Sequence, residues 1–320
     1  MLSRVADSLY WMSRYLERAE HTLRLLDVNF GMTLDPSDTS EEQRWKRVLA
    51  ALSNPRGLVW DGNGNFSSLA QALAFDRTNS ASITACIAAA RENARQVREQ
   101  ISSEQWQQLN RMYHRVTEEA SSGSAGLAEF PATTLDDLHL FQGITDTTMT
   151  HGEGWRFIQI GRAIERAGLI ATLLAVFDLD AAHETGEGAG SHQFLEWIGL
   201  LRSCTAFEAY CNLYTADLTQ VQILRFLLLN KEFPHSVRYS IDRLCSSLTA
   251  LQQESGLPLA EELRRVAGRL QASLNFCEIS EVMLQGARAY MENILQQCSA
   301  IHSLIYREYI HYTVQTALLQ

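Results

Sequence analysis

The sequence predicts an all-α protein, a multi-helix bundle built from long helices. Three observations predict it. Apolar residues recur at steps of three and four over long stretches, and no run of useful length alternates with the two-residue period of a strand. The chain of 320 residues carries only 18 Gly and 5 Pro, few turns for its length. One charged motif, R-x-x-E-R, stands twice, at 14–18 and 162–166, each time on a helix with an apolar seam.

The first helix is predicted from Met1 to about Phe30. Leu2, Val5, Leu9, Met12, Leu16, Ala19, Leu23, Leu26 and Phe30 step by three and four without a break. Arg14, Glu17, Arg18 and His21 share its other side with Tyr10, Trp11 and Leu25, which a purely solvated face would not carry, so these charges are expected to be covered and partnered. Residues 14–28 align without gaps on 162–176, with seven identities in fifteen positions. Arg14, Glu17 and Arg18 map onto Arg162, Glu165 and Arg166. The shared pattern predicts an internal duplication with a pseudo-twofold, in which the two Arg-Glu faces approach each other. The plainer alternative is convergent patterning, since Arg and Glu three or four apart stabilise any helix by roughly 0.2–0.5 kcal/mol per pair.

The remaining elements follow in order. Ser40 and Gln43 form a capping-box pattern for a short helix that Asn54, Pro55 and Gly57 end, and 60–68 reads as a turn-rich connection. A long helix is predicted from about Ser80 to Ile101. A second capping box, Ser102 with Gln105, opens the next helix. Residues 121–126, SSGSAG, are the best linker signal and divide the single domain into halves, 1–120 and 127–320. Residues 135–150 read as a helix followed by a loop, and the second core helix starts near Glu153. Past the loop at 184–191, one seam runs from Trp197 to Tyr214. A break near Glu232–Pro234 precedes a helix at about 235–253, and Gly256 with Pro258 marks the last junction. The tail, about 258–317, reads as one very long helix or two in line, with Glu308 continuing the seam of Met291, Ile294, Cys298, Ile301 and Ile305.

Bulk properties bound the function. The formal net charge of −10 argues against a broad nucleic-acid surface, while leaving room for a local Arg cluster. Six cysteines, none in a C-x-x-C pair, read as small core residues in a reducing compartment. Arg4 and Asp7 interrupt any leader-like apolar run, and no stretch of 18 apolar residues occurs, so the chain is expected to be cytoplasmic and without a membrane span. Self-association into a homo-oligomer is left open.

The opening MLSRVADSLYWMSRYLERAEHTLRLL resembles the bacterial alpha-E family of helical domains, as do 90–110, 148–167 and 226–241. The resemblance implies an all-helical fold. It also implies the company of circularly permuted ATP-grasp amide ligases and transglutaminase-like proteins as partners, without implying a settled reaction. The family often has Asn at the position of His21 and Arg at those of His151 and His235, so at the last two a role needing a permanent positive charge is in doubt.

Candidate site residues follow from these motifs. Arginine forks bind carboxylates and phosphates at two points, and a glutamate held between arginines can serve as acid or base. Glu17 and Glu165 are therefore the candidate catalytic residues. Arg14, Arg18, Arg162 and Arg166, with Trp11 and Trp155 ahead of the two motifs, are the candidate substrate-binding residues. Arg91 and Arg95, on the charged flank of the helix from Ser80, join them. The competing reading is a buried charge network that fixes helix register. Glu308 and His311 give one E-x-x-H, but a di-iron bundle needs a second, which Asp136 with His139 does not supply, so no metal is expected. His21, His114, His183 and His192 are expected at exposed or loop positions. No Gly-rich phosphate loop and no nucleophile signature occur, so no cofactor is implied. Three functions stay open: an accessory, substrate-holding subunit of an ATP-grasp-linked peptide or amide-forming system, a catalytic domain using Glu17 or Glu165, and a structural scaffold.

Overall fold

The computed structural model describes residues 1–33, 41–53, 66–122, 129–177, 189–215, 217–255 and 261–310. Among them every regular element is helical and no strand occurs. In chain order the helices are α1 (Ser3–Thr33), α2 (Glu41–Ala51), α3 (Phe66–Phe75), α4 (Ile83–Gln96), α5 (Ser103–Ser122), α6 (Phe130–Thr148) and α7 (Glu153–Val176). They continue with α8 (Ala189–Ser203), α9 (Phe207–Tyr214), α10 (Gln220–Leu229), α11 (Val237–Ser255), α12 (Glu261–Asn275), α13 (Ile279–Gln285) and α14 (Ala287–Ile305).

Two rings of four helices share one seam. Helix α1 packs on α4, α4 on α5, α5 on α6, and α6 back on α1. Helix α7 packs on α11, α11 on α12, α12 on α14, and α14 back on α7. The rings meet where α1 crosses α7. Both central helices are therefore buried on almost every side, which accounts for Tyr10 and Leu25 lying opposite the apolar seam of α1. Gly161 lets the two backbones close: a Cβ there would collide with the Tyr10 carbonyl oxygen and the Ser13 hydroxyl. Both rings take their members in chain order, but α13 stands between α12 and α14 where the first ring has no helix between α5 and α6.

Local chemistry sets most boundaries. The Ser102–Gln105 capping box forms as expected: Gln105 N–H donates to Ser102 Oγ at 3.1 Å, and Ser102 N–H donates to Gln105 Oε1 at 2.8 Å. Ser82 Oγ accepts from Ala85 N–H at 3.2 Å, so α4 starts at Ile83, later than the spacing predicts, and a 3₁₀ turn at Arg98–Gln100 follows it. Helix α6 begins at Phe130, five residues earlier than expected, because Pro131 fits a first helical turn. The run from Trp197 to Tyr214 is broken: Thr205 takes φ +51, and α8 and α9 lie either side of it. The tail is not one helix or two in line. Glu281 Oε2 accepts from Glu278 N–H to start α13, and Gly286 at φ +90 separates α13 from α14. Met291, Ile294, Cys298, Ile301 and Ile305 are buried as their seam predicts. Glu308 leaves that seam, because a π turn at Tyr306–Ile310 shifts the phase, and it pairs with Arg307.

Ser40, Asn54, Pro55, Gly57, Gly256, Pro258 and His311 lie outside the described residues, as does most of the loop, linker and junction sequence at 60–68, 121–126 and 184–191. All six cysteines are free thiols. No described helix is long and apolar enough to cross a membrane.

Candidate functional site

The two R-x-x-E-R faces meet where α1 crosses α7. Arg14 Nε donates to Glu165 Oε2 at 2.6 Å, and Arg18 Nε donates to Glu165 Oε1 at 2.9 Å. From the other helix, Arg166 grips Glu17 with both arms of its fork, Nη2 reaching Oε2 at 2.8 Å. The exchange is reciprocal: Arg18 takes Glu165, Arg166 takes Glu17. Glu17 is 4% exposed and Glu165 7%. Burial works to raise both carboxyls. At Glu165 the Arg14 and Arg18 guanidiniums overcome it and hold the group below the usual carboxylate range. At Glu17 burial leaves the carboxyl raised against the pull of Arg166, with the like charge of Glu20 adding to the rise.

Arg14 is held a second time. Its guanidinium lies 4.5 Å from the Trp11 ring centroid, and Nη1 reaches His302 Nδ1 at 3.0 Å. A guanidinium can only donate, so Nδ1 accepts and the imidazole is neutral. Burial, with Arg14 beside it, lowers the His302 pKa to about 4. Tyr10 Oη also bonds Nδ1, at 2.8 Å.

Arg162 occupies the position on α7 that Arg14 occupies on α1, yet it has no carboxylate within ion-pair reach among the described residues. Among these residues its one hydrogen bond is Nη2 to Gln159 Oε1 at 3.4 Å. Burial and the adjacent Arg166 push its pKa down. It faces a cleft of about 500 Å³ between α1, α6, α7 and α11. Arg243, from α11, lines the same cleft and likewise has no carboxylate partner among the described residues; its guanidinium lies 5.9 Å from the Trp155 ring. Gln159 lines the cleft at 3% exposure, and its Nε2 has no hydrogen-bond partner among the described residues. A buried donor left unmade costs about 1–3 kcal/mol, so this amide is poised for an acceptor.

The other end of the cleft is charged but compensated. Arg24 donates to Glu20 Oε1 at 2.8 Å, and Gln142 Nε2 donates to Glu20 Oε2 at 2.8 Å. Burial opposes ionisation of Glu20, but His139, Arg166 and Arg24 hold it well below the carboxylate range. His235 is driven well below its usual value by burial, then by Arg166, so it is neutral there. Behind it lies a small space lined by Glu17, His21 and His235. His21, expected at an exposed or loop position, is 8% exposed, with Nε2 unpartnered and its pKa lowered to about 4 by burial. The tight crossing of two central helices puts it inside.

The remaining candidates lie elsewhere. Trp155 is buried, its Nε1 donating to Asp146 Oδ1 at 3.2 Å, and it backs Arg243 without lining the cleft. Arg91 Nε donates to Asn110 at 2.7 Å and lies over Tyr113; Arg95 is clasped by Glu92 on an exposed face. Neither touches the central ion pairs or lines the cleft. Trp11 is a shelf for Arg14. Sequence reasoning missed Gln159, Arg243, Glu20 and Arg24; Gln159, one turn before Arg162, was the one local signal. No group of His, Cys, Asp and Glu among the described residues could hold a metal.

Geometry of this kind defines a class: an all-helical domain whose two central helices are locked by reciprocal Glu-Arg pairs. The chain belongs to the Alpha-E family, a predicted alpha-helical domain with a conserved ER motif, which it matches over residues 1–310. Its own ER pairs are Glu17–Arg18 and Glu165–Arg166. An uncharacterized protein of Mycobacterium bovis is 26% identical over 313 residues, covering 91% of this chain and 35% of its own length. Uncharacterized proteins of two Mycobacterium tuberculosis strains match with the same identity and coverage. The chain thus spans about a third of the length of these curated relatives. No solved structure matches.

Proposed function

We propose that this chain is the substrate-holding, accessory component of a bacterial ATP-grasp-linked system that forms or trims peptide or amide bonds. In this reading the Arg-lined cleft holds the carboxylate- or phosphate-bearing group of the substrate, and the central ion pairs are the frame that positions it. One observation carries it: Arg162 and Arg243 face a cleft of about 500 Å³ with no carboxylate partner among the described residues, beside an unpaired Gln159 amide. A protein does not collect uncompensated cations in a concave site without cost, and an anionic ligand offsets that cost. Glu17 and Glu165 fit the frame better than the chemistry, since each has its oxygens engaged by guanidinium.

The circularly permuted ATP-grasp protein and the transglutaminase-like protein are the partners this reading assigns, on the strength of the family's company. The test is product formation by the matching ATP-grasp protein with and without this chain, and with Arg162→Gln/Arg243→Gln. The proposal expects product to fall at least tenfold in the double variant and in the chain's absence. Unchanged product without the chain would remove the assignment.

A further inference from the structure

The cleft is far larger than a single oxyanion needs, and its two ends differ. It follows the outer face of α7 from Gln159 to Arg166, about 10 Å at 1.5 Å per residue. Two guanidiniums with no ion-pair partner among the described residues, Arg162 and Arg243, stand at the Gln159 end. At the Arg166 end the described charges are paired: Arg24 with Glu20, Arg166 with Glu17. An occupant that fills this shape carries one anionic group at one end and a neutral, hydrogen-bonding body along the rest.

The arrangement of donors separates carboxylate from phosphate. Glu20 forms part of the wall, and Asp146 is close enough to Arg162 to favour its charged form. The doubled charge of a phosphate dianion doubles both its repulsion by these carboxylates and its attraction to Arg162 and Arg243, so donor geometry decides between the two anions. Gln159 Oε1 accepts from Arg162, so the amide lies beside the guanidinium with its N–H donors unused. That places planar donors side by side, the arrangement that takes up a planar carboxylate. Toward Arg166 the wall offers the hydroxyls of Thr205 and Tyr239 over the apolar surfaces of Ala163 and Phe233. Hydroxyls both donate and accept, as a peptide's N–H and C=O groups require.

We infer that the cleft binds the C-terminal end of a short peptide, with its terminal carboxylate between Arg162 and Arg243 against the Gln159 amide and its backbone along α7 toward Arg166. The inference rests on the anion-holding reading of the cleft and narrows it to one ligand class. It also fixes the direction of the peptide, and so which end points out of the cleft for a partner enzyme to work on.

Calorimetry on the full chain tests it, using N-acetylated tetrapeptides as free acids and as C-terminal amides, with inorganic phosphate and pyrophosphate as separate titrants. Arg162→Gln and Arg243→Gln, on different helices, are checked for unchanged unfolding midpoints. The expected result is that free acids bind at least tenfold more tightly than their amides and than either phosphate, and that each variant removes the preference. Equal binding of acid and amide, or tighter pyrophosphate binding that still depends on Arg162, would overturn the peptide assignment and keep the anion cleft. No binding of any titrant, or binding indifferent to both arginines, would overturn both.

Discussion

Arg14 and Arg162 stand at matching positions of two matching motifs and do opposite things. Arg14 closes on Glu165, leans on Trp11 and donates to His302. Among the described residues Arg162 hydrogen-bonds only Gln159, and it faces an open cleft. The residue three positions earlier differs: Trp11 gives Arg14 a shelf, whereas Gln159 gives Arg162 an amide. The surroundings differ too, since α14 brings His302 over Arg14, while α6 and α11 leave a space beside Arg162. A charged motif therefore does not define a role by its spacing. One copy is absorbed into the frame and the other is left with an unspent charge.

The largest expected effect comes from breaking the frame. Arg166→Leu leaves Glu17 buried without its fork, and urea unfolding should show a loss of about 3–5 kcal/mol. A loss below about 1 kcal/mol would mean that the reciprocal pairs do not hold the two rings together.

Acid should come next. His21 is buried with its pKa lowered to about 4, below the 6.5 of an unfolded histidine. The unfolded chain then binds the proton first, so stability is full above about pH 6.5 and is lost as pH falls toward 4. The contribution is up to about 3 kcal/mol for a shift of this size. His302, lowered to about 4 as well, titrates over the same window with a smaller effect, being less buried. Unfolding midpoints of wild type and His21→Asn between pH 7 and 4 check this: the variant should fall less steeply, and parallel curves would contradict the assignment. Glu165, held low by Arg14 and Arg18, adds a further loss only as pH drops below the ordinary carboxylate range.

The smallest effect should come from Arg95. It is paired with Glu92 on an exposed face, so Arg95→Ala should leave unfolding and peptide binding unchanged within error. A clear loss of binding would bring the α4 flank back into the site.

Much of the frame was legible in the sequence because it is periodic. The seam of α1, the second R-x-x-E-R and the polar side carrying Tyr10 and Trp11 together implied two covered helices whose charges find each other. The cleft was not legible, because its parts come from four helices without a common spacing: Glu20 and Arg24 from α1, Gln142 from α6, Gln159 and Arg162 from α7, Arg243 from α11. Arg91 and Arg95 had the more conspicuous pattern and belong to an outer face. The tail misled for a local reason, since periodicity carries across Gly286 while its positive φ does not carry the helix.

The most direct test of this division is the unfolding free energy of Arg14→Gln beside that of Arg162→Gln. Arg14 is tied to Glu165 and His302, so its loss should cost about 1–3 kcal/mol. Arg162 lies beside Arg166 and has no carboxylate within ion-pair reach among the described residues, so Arg162→Gln should be neutral or slightly stabilising, as expected where charge is kept for a ligand. A cost at Arg162 equal to that at Arg14 would show both arginines to be parts of the frame and would remove the basis for the ligand cleft.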